Sequence, residues 1–101
     1  MCGIFGIALA NGHAMARSEW DLAVRRLFLL SESRGKEAAG IAVATNERIV
    51  VHKDSVSASE MLRTGDYGQA MTRALNGHFG GQHAGGADFV AATGHSRLVT
   101  T

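Results

Sequence analysis

The sequence predicts a mixed α+β domain, helices layered on a largely antiparallel sheet, and three observations carry that prediction. Short apolar β-favouring runs alternate with helical-period segments in the order β, α, β, β, α, α, β. Two of the strand-like runs are separated by only a short polar turn, which joins antiparallel neighbours. The order is not a strict βαβ alternation, so an all-parallel sheet is disfavoured.

The elements follow in chain order. Residues 3–10 (Gly3 to Ala10) form an apolar run read as a buried strand, and Asn11-Gly12 supplies turn chemistry after it. Ser18 has the chemistry of a helix N-cap, with Asp21 imitating a capping box. Trp20, Val24, Leu27, Phe28 and Leu30 then recur at helical spacing beside Arg25 and Arg26, predicting an amphipathic helix over 19–33 that Gly35 ends. The small apolar run 38–44 predicts a strand. Thr45-Asn46-Glu47 predicts a turn, and 48–53 a strand pairing back as a hairpin. Ser57 or Ser59 is placed to cap a short helix through Met61, Leu62 and Arg63. A further helix is expected over 67–75, stopping at Asn76-Gly77. Gly77, Gly80, Gly81, Gly85 and Gly86 mark one loop, and 89–96 reads as the last strand.

Composition bounds the function. A chain of 101 residues is one domain or part of one, with 46% hydrophobic and 19% charged residues, a globular balance. A net charge of +1 gives no electrostatic reason to expect nucleic acid or an anionic membrane as partner. No apolar run reaches the ~18 residues of a membrane span, and the N-terminus lacks the pattern of a signal peptide. The single cysteine excludes an internal disulfide and fits a reducing compartment, so a cytoplasmic location is expected.

That cysteine is residue 2. With Met1 removed, Cys2 would carry a thiol and a free α-amine together. Thiols and α-amines titrate within about one unit of each other, so the amine can serve as the base of its own nucleophile. Alternatively, Cys2 is a small buried hydrophobe at the start of a strand.

Three segments bear on this choice: Cys2-Gly3-Ile4-Phe5-Gly6-Ile7, then Ser33-Arg34-Gly35-Lys36-Glu37-Ala38-Ala39-Gly40, then Thr93-Gly94-His95-Ser96-Arg97-Leu98-Val99-Thr100. In this order they resemble the glutaminase domain of the class II, N-terminal-nucleophile glutamine amidotransferases. The first resembles that family's Met-Cys-Gly-Ile opening, the second its Arg-Gly-x-Asp-x-x-Gly segment, the third its Gly-His-x-Arg-x-x-Thr strand end. Two positions depart from the pattern: Glu37 stands where aspartate is usual, and Leu98 where a bulkier aromatic sometimes occurs.

The resemblance implies a fold, a reaction and roles. The fold would be an αββα layered sandwich of the N-terminal-nucleophile hydrolase kind. Residues 1–101 would be the N-terminal part of a type 2 glutamine amidotransferase domain. Cys2 would attack the side-chain amide of L-glutamine and form a thioester, with ammonia passed to a synthase or acceptor domain beyond Thr101. Arg97 would hold the substrate α-carboxylate through a bidentate pair. Thr100 would help line the glutamine pocket, or serve as an ordinary β-branched strand residue. Gly35 would let the chain turn tightly beside the thiol. Arg34 would be a structural cation near it, or a solvated arginine favoured at a helix end.

No cofactor is implied. The family's Asn-Gly oxyanion pair and its aspartate for the α-amino group would lie beyond Arg97. A partial sandwich with open strand edges would invite self-association, a route to a homo-oligomer. His78, His83 and His95 with Cys2 match no zinc spacing, so no metal is expected. A His95–Cys2 thiol–imidazole pair is a further arrangement, against which the resemblance argues. The reading from outside enzymology is a non-catalytic fragment that keeps the fold as an assembly or regulatory module.

Overall fold

Four strands pair in the order β1-β4-β2-β3, every pairing antiparallel. They are β1 (Cys2–Leu9), β2 (Ala38–Thr45), β3 (Ile49–Asp54) and β4 (Val90–Arg97). Helices α1 (Arg17–Ser31), α2 (Ala58–Met61) and α3 (Gly65–Leu75) complete the domain, with a 3-10 turn at Glu32–Arg34. This computed structural model describes residues 2–10, 14–76 and 89–98. The Asn11-Gly12 turn, the glycine loop, His78, His83 and Thr100 therefore lie outside the described residues.

The α+β class and the antiparallel sheet agree with the sequence. The sandwich does not extend to what is described: among these residues there is one sheet, with helices packed against one face. Register explains which face. Directly opposed residues of an antiparallel ladder share a side, and the side alternates along each strand. One side collects Phe5, Ile41, Val43, Val50, Val90 and Ala92, all buried. The helices add Trp20, Val24 and Phe28 from α1, Met61 from α2, and Ala70, Met71, Ala74 and Leu75 from α3. The Phe5 and Phe28 rings meet edge-on with centroids 4.7 Å apart.

Local chemistry sets the helix ends, and differs from expectation at three of them. The N-cap of α1 is Ala16, not Ser18. Glu19 reaches back to accept from the Ala16 amide at 2.9 Å, so the carboxylate of the cap is Glu19, two residues before the Asp21 expected with Ser18. Leu30 does not join the buried stripe and is 74% exposed. Ten residues beyond Trp20, it comes round about 80° off that stripe. The α1 helix ends at Ser31 and tightens into the 3-10 turn rather than running to residue 33. Of the two candidate caps for α2, Ser57 serves, accepting from the Glu60 amide at 3.3 Å. Thr64 caps α3 by accepting from the Tyr67 amide at 3.1 Å, starting that helix two residues before the expected position.

The β2–β3 hairpin turns where predicted. The Thr45 amide donates to the Arg48 carbonyl at 2.9 Å, and the Thr45 hydroxyl accepts from Glu47 and Arg48. None of the described helices is long and apolar enough to cross a membrane.

Candidate active site

Among the described residues, the opposite side of the sheet carries no helix. Its residues are mostly small, and its larger apolar side chains are open to solvent: Ile4, Ile49 and Val51. Cys2 lies on this open face at the start of β1, exposed and with a free thiol. The alternative of a buried structural cysteine is thereby set aside.

Register brings Arg97 to Cys2. Cys2 pairs directly with Arg97 across the β1–β4 ladder, and Arg97 pairs in turn with Ala38 of β2. Opposed residues in such ladders lie about 4.5–5.5 Å apart at Cα. Thiol and guanidinium therefore start from neighbouring positions on one face, though 95 residues separate them in the chain.

The Arg34-Gly35 segment arrives at the same end of the sheet. Gly35 is extended, with φ 178° and ψ 136°, a backbone any residue can adopt. It is not the tight turn expected of it. What requires glycine is proximity: a Cβ here would collide with the backbone of Arg97 and Leu98. Two residues on, the Glu37 amide donates to the Arg97 carbonyl at 3.0 Å, extending the contact between this segment and β4. The Glu37 side chain points to solvent, and Leu98 is also exposed.

A groove of about 610 Å³ runs between the β1 edge and α1, lined by Cys2, Ile4, Leu27, Leu30, Ser31 and Arg34. The thiol and the Arg34 side chain thus border one space. A second cleft, of about 340 Å³, lies on the far side of Arg97 and is bordered by Lys53, Asp54, Ser55 and His95.

From behind, the site is braced by two buried hydroxyls. Ser96, between His95 and Arg97, is fully buried, and its Oγ lies 2.8 Å from Ser31 Oγ. The Ser31 hydroxyl also contacts the Phe28 carbonyl at 2.9 Å. This pair ties the C-terminal end of α1 to the strand that presents Arg97. Glu32 adds a second tie, accepting from the Ser59 amide at 2.7 Å. That backbone hydrogen bond is the main reason its carboxyl is held below the usual carboxylate range.

His95 does not turn toward the thiol. Its Nε2 lies against Gly40 on β2, its direct cross-strand partner, where a Cβ would approach to 2.6 Å. The ring therefore leans away from β1, and the thiol–imidazole arrangement is not formed. Burial, then the nearby Arg97 and Lys53 charges, push the imidazole below its ordinary value, so it is neutral at pH 7. Among the described residues, no group of three or more histidine, cysteine, aspartate or glutamate side chains could hold a metal ion.

Sequence reasoning missed Lys53 and the Ser31–Ser96 pair, and gave Gly40 no role beyond closing the Arg-Gly-x-Asp-x-x-Gly pattern. The two-residue period of a strand was the available signal that Lys53 shares a face with Ile49 and Val51; that this face is the open one is given by the structure alone. No protein-family model, curated protein or solved structure matches the chain.

Proposed function

We propose that the chain is the N-terminal part of a class II glutaminase domain, using Cys2 as an N-terminal nucleophile on L-glutamine. One observation carries this reading: the β1–β4 register sets Cys2 directly beside Arg97 on the exposed face. The Arg34-Gly35 segment packed at the same strand end supports it.

In the proposed reaction, removal of Met1 frees the α-amine of Cys2. The amine takes the thiol proton, and the thiolate attacks the side-chain amide carbon of glutamine. The tetrahedral intermediate collapses as the amine returns a proton to the departing nitrogen, releasing ammonia and leaving a γ-glutamyl thioester. Water then hydrolyses the thioester, giving glutamate and the free thiol. Arg97 holds the α-carboxylate through paired N–H donors. Arg34 contributes positive charge at the rim of the groove, and Thr100 helps line the glutamine pocket. Ammonia passes to an acceptor domain or subunit. In the finer fold we propose, a second sheet packs on the open face, completing an αββα sandwich.

The exposed Ile4, Ile49 and Val51 favour a second reading, an assembly module without catalysis. A glutamine-mimicking diazoketone separates the two. Processed protein lacking Met1 is expected to gain one adduct at Cys2 by intact mass, and to lose that reactivity in Arg97→Ala. Iodoacetamide serves as the control for a reactive thiol. If iodoacetamide labels Cys2 and the glutamine mimic does not, the glutaminase reading fails and the assembly reading stands.

A further inference from the structure

We propose that the open-face cleft beyond Arg97, walled by Lys53, His95 and Arg97, binds a small oxyanion of the carboxylate or phosphate class. The cleft has a volume of about 340 Å³, room for such a group with part of its hydration. Its walls come from two strands brought together by register. His95 and Arg97 are alternate residues of β4 and so share a face. Lys53 of β3 pairs with Gly40, which pairs with His95 on its other side. All three side chains therefore stand over one short stretch of sheet.

Gly40 makes the arrangement. It leaves the surface of β2 bare, so the His95 ring lies across it from one side while the Lys53 stem comes within 3.2 Å of the same point from the other. Any side chain at residue 40 would fill the space between imidazole and ammonium. His95 Nδ1 is buried without a hydrogen-bond partner among the described residues, so this ring position is held by packing and the glycine gap.

The charge has a definite sign. Lys53 and Arg97 are two cations against the single carboxylate of Asp54, and Ser55 adds a hydroxyl at the rim. Neither Lys53 nor Arg97 is in a described salt bridge, unlike Arg17 with Asp21 and Arg48 with Glu47. An oxyanion here takes the bidentate fork of Arg97 and the point charge of Lys53 together. It also engages the Arg97 guanidinium on the side of β4 away from Cys2.

The site shares Arg97 with the glutaminase reading but adds Lys53, which that reading does not use, so its test uses no glutamine and turns on Lys53. Sodium acetate and inorganic phosphate are titrated separately at fixed ionic strength, with chloride as the reference. The amide signals of Lys53 and His95 are followed by NMR. Saturable shifts with acetate, phosphate or both are expected, and the arm that saturates identifies the anion class. Lys53→Ala, an exposed substitution, should weaken binding by on the order of 5- to 10-fold, and Lys53→Arg should restore most of it. A second readout is Cys2 alkylation: the bound anion should lower the iodoacetate-to-iodoacetamide rate ratio in the native protein but not in Lys53→Ala. Shifts no larger than those with chloride, or affinities unchanged in Lys53→Ala, would overturn the proposal.

Discussion

The two faces of this sheet solve the same packing problem with opposite results. On the helix-covered face, the Phe5 ring lies over Gly94, its direct partner on β4, where a Cβ would collide with the ring. On the open face, the His95 ring lies over Gly40, its direct partner on β2. Each pair uses a glycine to let an aromatic ring cross to the neighbouring strand. Over Gly94 the ring meets Phe28 and becomes core. Over Gly40 the ring meets Lys53 and lines a cleft beside Arg97. Glycine opposite a ring thus reports that the ring crosses; the face decides whether the ring becomes core or lines a cleft.

Substitutions should separate the faces, the largest losses falling on the closed one. Phe28→Ala removes a fully buried ring and its contact with Phe5. It is expected to cost about 3–5 kcal/mol in urea unfolding, enough to leave the domain largely unfolded. Next comes the tie between α1 and β4: Ser96→Ala removes one of the two hydrogen bonds of the Ser31 hydroxyl, which keeps its bond to the Phe28 carbonyl, and should cost about 1 kcal/mol. The double variant with Ser31→Ala should cost less than the sum of the singles. Strict additivity would mean that the 2.8 Å contact contributes nothing.

Smaller again is a pH effect at Glu32. Its folded carboxyl sits below the ordinary value of 4.5, so its contribution is complete above that value and is lost as pH falls through the lower folded value. The urea midpoints of the native protein and Glu32→Gln should differ at pH 6 and converge in acid. A gap that stays constant would mean that the Ser59 amide gains nothing from the charge. His95 has the same sign in a higher window: being held neutral, it withdraws stability as pH falls below 6.5, and His95→Gln should flatten that decline. The smallest stability change belongs to the open face. Arg97→Ala should shift stability by no more than about 0.5 kcal/mol while abolishing labelling by the glutamine mimic. A large loss of stability there would make Arg97 a structural residue instead.

What the sequence disclosed follows the same division. The hairpin was legible because Thr45, Asn46 and Glu47 act on their own neighbours. The buried stripe of α1 was legible because Trp20, Val24 and Phe28 repeat at helical spacing. The start of that helix was misread because Ser18 and Glu19 offer competing local bonds, and the carboxylate reaching Ala16 prevails. Gly35 was expected to make a tight turn, whereas its constraint is the close approach of β4, some sixty residues downstream. The insertion of β4 between β1 and β2 leaves no local trace, nor does the opposition of Cys2 to Arg97. Both are consequences of register, which a linear pattern of residues does not express.

The last of the described strands in sequence is also an inner strand of the described sheet, and this orders assembly in time. During synthesis β2 and β3 can close their hairpin as soon as both have emerged, and the helices can begin to cover it. β1 has no partner among the described strands until Val90–Arg97 is made, so the strand bearing Cys2 is made well before its partner and is among the last to dock. Until then its apolar side chains, unpaired backbone groups and thiol are open to other chains, which makes β4 insertion the step at which a nascent copy is most exposed to wrong partners.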